Sequence, residues 1–161
     1  GFTDFTVLNL EGKTKEEIYS KTLEWINKTY KNPKEVIKAE IKDDYVRFEG
    51  VKKNLFSFLD VLMIAPTYND VRYMIEVSVK DSKIKFDIVN LEMYIAPSKY
   101  SRGGWSPIFI DNKTNAYFKK DGSLRTPFKE INKVSEHFNL LQDDLKNYIL
   151  NGSKTSTSND W

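Results

Sequence analysis

The 161-residue chain contains no cysteine. Disulfides and thiolate metal sites are therefore excluded, and the redox compartment leaves no trace in the composition. There is a single histidine, His137. Without a cysteine or second histidine beside it, a transition-metal site is disfavoured. No apolar run approaches the roughly 20 residues that a bilayer-spanning helix needs. An excess of one charge is also missing: 25 Lys and Arg face 23 Asp and Glu, for a net charge of +2. The two signs are interspersed, so the basic stripe or block of a nucleic-acid binder is absent. No internal repeat is present, and no Gly-x-Ser-x-Gly elbow exposes a nucleophilic serine.

What remains is the composition of an ordinary globular protein, 40% hydrophobic and 30% charged, long enough to bury one good core. Residues 1–152 read as a single domain and the polar stretch 153–161 as a C-terminal tail, with Trp161 docked on some surface. The sequence starts at Gly1 rather than Met, consistent with a signal or anchor removed from an exported chain.

Val71–Ile88 is the clearest structural signal. Val71, Tyr73, Ile75, Val77 and Val79 alternate with Arg72, Met74, Glu76, Ser78 and Lys80, and after Asp81-Ser82 the apolar face resumes at Ile84, Phe86 and Ile88. This pattern specifies an antiparallel hairpin with one face on a core. The register pairs Val77 with Phe86, Glu76 with Asp87, Met74 with Val89 and Arg72 with Leu91. The second face is thus polar near the turn and apolar at Met74, Val89 and Leu91, which segment 96–118 is placed to cover.

Elsewhere, Phe5–Leu10 reads as a short strand. Thr14 and Glu17 form a capping box that starts a helix with Ile18, Tyr19, Thr22, Leu23, Ile26 and Tyr30 on one stripe, stopped at Asn32-Pro33. Val36–Ile41 and Tyr45–Gly50 read as strands about a Lys42–Asp44 turn. Leu55–Ile64 reads as a strand covered on both faces for part of its length, and Pro66–Asp70 as a turn. A short strand is expected at Ile108–Ile110. Thr126-Pro127 open a last helix whose stripe runs from Phe128 to Ile149, and Asn151-Gly152 end it. The expected fold is α+β: an antiparallel sheet of about five strands with two helices on one face and an aromatic loop insertion before the last helix.

The order of elements, the hairpin VRYMIEVSVKDSKIKFDIVNLEMY and the helix pattern Lys15-Glu16-Glu17-Ile18-Tyr19 with Trp25 resemble a family of domains of unknown function. That family has a TBP-like (TATA-binding-protein-like) fold and is typical of exported proteins of Bacteroides-type bacteria. The chain departs from its pattern at Gly50, where the family often has Gly-x-Gly, and in the aromatic segment 96–118. The resemblance implies the fold and an exported location, periplasm or cell envelope. It implies no activity, because fold does not carry function.

Candidate functional residues fall into three groups. Tyr94, Tyr100, Arg102 and Trp105 combine large area with polar handles, as binding hot spots do. The plainer role for Tyr100 and Trp105 is to cover the apolar end of the hairpin. Glu76 and Asp87 are opposed carboxylates that could act as an acid/base pair or hold a cation; the plainer expectation is neutralisation by Lys85 and a lysine of a neighbouring strand. Ser106 and His137 are the only pieces of a nucleophile–base pair, and Gly103-Gly104 lacks the helix and lysine of a phosphate loop.

The favoured function is a non-enzymatic exported binding or accessory module. It needs no cofactor or metal and uses loop 96–107 toward an unidentified protein or small ligand. A carboxylate-dependent hydrolase or lyase, and a structural piece of an envelope assembly exposing Met74, Val89 and Leu91, are the alternatives. DNA is excluded from the expectation because Glu76 and Asp87 would face the phosphates.

Overall fold

The computed structural model describes residues 5–58, 67–108, 119–123, 125 and 130–152. Helix α1 (Lys15–Thr29) begins where the capping box requires it. The Thr14 hydroxyl accepts from the Glu17 N–H at 3.2 Å, and the Glu17 carboxylate accepts from the Thr14 N–H. Asn32-Pro33 ends the helical stripe, but proline then occupies the first turn of a short helix α2 (Pro33–Val36), where its missing N–H costs nothing.

The strands are β1 (Thr6–Asn9), β2 (Ile37–Ile41), β3 (Tyr45–Phe58), β4 (Thr67–Lys80), β5 (Lys83–Ile95) and β6 (Gly104–Pro107), and the last helix is α3 (Asn132–Asn151). Among the described residues they form one six-stranded sheet in the order β1-β5-β4-β3-β2, with β6 also pairing β5. The β1–β5, β2–β3 and β5–β6 ladders are antiparallel.

Several boundaries differ from expectation. Tyr45–Gly50 and the beginning of Leu55–Ile64 are one strand, β3. It passes through Asn54 at φ +50°, where the Asn54 N–H donates to Asp70 Oδ1 at 2.8 Å. Leu55 and Ser57 are half-buried and Phe56 is buried, so burial alternates over the described start of this stretch. β4 begins at Thr67, so Thr67–Asp70 belong to the strand and not to a turn. A short strand lies at Gly104–Pro107; Ile108 is not part of it, and the remainder of the expected Ile108–Ile110 strand lies outside the described residues. The Thr126-Pro127 cap, Phe128, the remainder of Leu55–Ile64 and the tail with Trp161 lie outside the described residues.

The chain gathers into two compact units. One comprises Gly50–Met74 and Val89–Phe138, the other Asp4–Glu49, Ile75–Ile88 and Asn139–Trp161. In the second, Trp25, Ile18 and Ile26 of α1 join Val46, Phe48, Ile75, Val77, Val79, Ile84, Phe86, Leu145 and Tyr148 in the core. Trp25 meets Phe48 edge-on at 5.9 Å and donates its indole N–H to Asp144 at 2.7 Å. Burying each large apolar side chain contributes about 1.5–3 kcal/mol. The Asp81-Ser82 turn is tied down as well. Ser82, at φ +61°, accepts from the Leu10 N–H and donates to Lys13 O, while Asp81 Oδ1 accepts from the Lys15 N–H.

In the first unit the core is built on Tyr73, whose ring meets Phe138 edge-on at 5.2 Å and His137 at 5.5 Å. Val71, Phe56, Ile131 and Val134 are buried in the same unit. A Cβ at Gly50 would lie 2.5 Å from the Tyr73 ring, so the absence of a side chain there makes room for the edge of that ring.

Candidate binding surface

β5 alternates cleanly only at its start. Ile84 and Phe86 are buried, then Asp87 and Ile88 are both half-buried and Val89 and Asn90 both exposed. Arg72 Nε and Nη2 both donate to Glu92 Oε2, at 2.9 and 2.7 Å, and Asn90 adds a donor to the same oxygen. The carboxylate that Arg72 reaches is thus that of Glu92.

Segment 96–107 meets β5 along its edge rather than lying over its face. β6 pairs Met93 with Ser106, Tyr94 with Trp105 and Ile95 with Gly104. Trp105 is half-buried. Its ring is 5.4 Å from that of Tyr94 in a T-shaped contact and lies under the Arg72 guanidinium at 4.5 Å, an arrangement favoured by the ring quadrupole. Asn69 donates to Tyr94 O at 2.9 Å.

The connection between β5 and β6 reverses at Ser98–Ser101, whose backbones exchange bonds of 2.8 and 3.2 Å. Gly103 adopts φ +68°, and a Cβ there would strike Ile95 O and Pro97 N at 2.5–2.6 Å. Only glycine fits this close return, which is the structural use of the Gly-Gly pair. The turn presents Tyr100, 86% exposed, with Lys99 Nζ 4.8 Å from its ring, and Arg102 is exposed beside it. The four candidate residues thus divide. Tyr94 and Trp105 pair across a ladder, whereas Tyr100 and Arg102 stand in solvent.

The carboxylate pair Glu76 and Asp87 is not held as an acid/base couple. Arg47 Nε donates to Glu76 Oε1 at 2.8 Å and to Tyr45 Oη at 2.9 Å, and Nη2 also meets Glu76. Burial raises the Glu76 pKa, but the Tyr45 and Arg47 hydrogen bonds and the Arg47 charge outweigh it and leave the group below its ordinary value. Asp87 bonds Lys85 at 3.1 Å. Lys85 fills its expected role; Arg47 takes the place expected of a second lysine.

Among the described residues no hydroxyl is hydrogen-bonded to His137. Its Nε2 is buried without a hydrogen-bond partner among the described residues, and burial, with the Lys52 charge, lowers its pKa to about 4. Ser106 sits in the β5–β6 ladder. Among the described residues, no group of three His, Asp or Glu could hold a metal, and no helix is long and apolar enough to cross a membrane.

One polar link carried no local sequence signal. Glu130 accepts from the Ser57 N–H at 2.8 Å and from its hydroxyl at 2.6 Å. These bonds and Lys133 lower its pKa to about 2.

An antiparallel sheet with helices in the element order described defines an α+β protein of TBP-like fold. The model of DUF4468, a domain of unknown function with TBP-like fold, matches residues 5–94, and the chain belongs to that family. A solved DUF4468 family protein from Bacteroides ovatus ATCC 8483 is similar at 13% identity and TM-score 0.67, over 94% of this chain and 87% of the other. A TBP-like protein from Parabacteroides distasonis ATCC 8503 is similar at 13% identity and TM-score 0.61, over 91% of each chain. These likenesses speak to fold alone. No curated protein matches the chain.

Proposed function

We propose that the protein is a non-enzymatic exported module that binds a partner through the turn between β5 and β6. The observation that carries this reading is Tyr100, a large aromatic side chain held in solvent by a hydrogen-bonded turn and a sterically required Gly103. Tyrosine offers area and a hydrogen bond at low cost in rotamer entropy, and arginine adds a charged fork; both are enriched where binding energy concentrates. Tyr94 and Trp105 support the turn from the adjoining ladder. A periplasmic or envelope location fits the family resemblance noted in the sequence. DNA fits less well, because Glu76 and Asp87 would meet phosphates.

The test is capture from envelope extracts of the source organism with the immobilised chain, the Tyr100→Ala/Arg102→Ala variant and a Leu140→Ala control. The partner is expected to be depleted by about tenfold with the double variant and retained with the control. The same proteins retained equally by all three would remove this surface from consideration. The exposed positions keep folding intact, since surface substitutions usually change stability by within about 0.5 kcal/mol.

A further inference from the structure

We propose a second, small-ligand site beside the Asp81-Ser82 turn, built for an organic monoanion with a short apolar body. A cavity of about 250 Å³ there is lined by Phe5, Val7, Ser78, Lys80, Lys83 and Lys85, together with Ile84. Three lysines and no carboxylate lie in that lining. The two-residue turn sets Lys80 and Lys83 on neighbouring strands, and β1 adds the apolar part. Val7 stands directly opposite Lys85 in the β1–β5 ladder. Phe5 and Val7 are nearly half exposed, at 47% and 48%, so apolar surface remains to be covered.

The cations differ in how far the fold already satisfies them. Lys85 bonds Asp87 at 3.1 Å and lies 4.5 Å from the centre of the Phe5 ring. Lys80 and Lys83 make no ion pair with a described residue, and both are exposed. An anion entering the cavity would meet two unneutralised ammonium groups and the Ser78 hydroxyl, while its apolar part displaced water from Phe5 and Val7. Neither half suffices alone. Exposed ammonium groups are strongly hydrated and bind simple anions weakly, and the apolar area is small. The volume falls just below the roughly 300–1,000 Å³ of pockets for drug-sized ligands, which limits the ligand to a small one.

Octanoate supplies both halves and is the probe. Titration of the ¹⁵N-labelled chain with octanoate, followed by amide shifts, should saturate with a Kd of about 0.1–1 mM and move Val7, Ser78 and Lys85. Inorganic phosphate, an anion without a tail, and octan-1-ol, a tail without a charge, should each bind at least about tenfold more weakly. Lys80→Gln/Lys83→Gln should weaken octanoate about tenfold with an unchanged spectrum elsewhere. Val7→Thr, nearly isosteric, should weaken octanoate while leaving phosphate unaltered. No saturation by 10 mM octanoate (about tenfold above the weakest expected Kd) would overturn the site, as would equal affinity in the double lysine variant. Equal binding of octanol would reduce it to an apolar patch. Tighter, steeply salt-dependent binding of an oligonucleotide at the same amides would replace the small ligand by nucleic acid. The Tyr100→Ala/Arg102→Ala variant should bind octanoate unchanged, which separates this site from the turn surface.

Discussion

Two cation-bearing surfaces draw on the same two strands and have opposite characters. Around Arg72 the guanidinium is already engaged: Glu92 takes two of its five donors and the Trp105 ring lies against it. Around Lys80 and Lys83 nothing comparable is present among the described residues, and Phe5 and Val7 remain half open. A count of aromatic and basic residues ranks the first surface as the more promising binder. The structure reverses that ranking, because groups already satisfied by the fold have little left to offer a ligand. On the proposed readings, recognition falls to groups the fold leaves exposed: the lysines beside the hairpin turn, and Tyr100 with Arg102 beyond the ladder.

The first unit's self-sufficiency rests on Tyr73, and the largest expected effect lies there. Gly50→Ala places a methyl group 2.5 Å from the Tyr73 ring, against which Phe138 and His137 also pack. Overpacking of this kind should cost about 2–3 kcal/mol in urea unfolding. Adding Tyr73→Leu should restore part of the loss, so that the two changes are less than additive. A neutral Gly50→Ala would mean that Tyr73 is not fixed, and the contrast between a rigid and an open surface would weaken.

The same ring system carries a pH signature. His137 has a pKa of about 4 in the folded chain against an ordinary 6.5, so between those values the unfolded chain binds the proton first. The stabilising contribution of neutral His137 is complete above about pH 6.5 and is lost as pH falls toward 4. Urea midpoints should therefore decline from pH 7 to pH 5, with a slope of at most one proton per molecule. Glu130, depressed to about 2 from 4.5, begins to matter only below that interval. His137→Phe keeps the ring stack and removes the titration, so its midpoints should be flatter. Parallel curves for the two proteins would show that His137 is not the group being protonated.

How much of the molecule is legible in the sequence follows the range of the interactions. The helix starting after Thr14 and the turn at Asp81-Ser82 are set by residues three apart or adjacent, and both form as expected. Toward the far end of the hairpin the burial alternation of β5 fades after Phe86, and Arg72 meets Glu92 there. What selects Glu92 for Arg72 is a pairing 20 residues apart in the chain. Arg47 as the partner of Glu76 escapes a sequence reading for the same reason, at a separation of 29. Gly103-Gly104 has the pattern of a break, yet β6 begins at Gly104. Phe5 and Val7 give no signal, since only the pairing of β1 with β5 brings them to the lysines. The sequence groups the four expected binding residues but does not separate the paired Tyr94 and Trp105 from the open Tyr100 and Arg102.

The smallest effects test the comparison most directly. The Arg72 and Glu92 side chains are 31% and 18% exposed, while Lys85 and Asp87 are 44% and 21% exposed. Arginine also presents two donors to one oxygen, held in place by Trp105, whereas lysine presents a mobile point charge. A double-mutant cycle on Arg72→Ala and Glu92→Ala should give a coupling of about 1 kcal/mol, and one on Lys85→Ala and Asp87→Ala about 0.3 kcal/mol. Half-molar salt should lower the second by the larger fraction, because screening acts most on exposed pairs. If the Lys85–Asp87 coupling equalled the first, the fold would hold Lys85 as firmly as it holds Arg72. The anion site would then retain only Lys80 and Lys83, and Lys85→Gln should leave octanoate affinity unchanged.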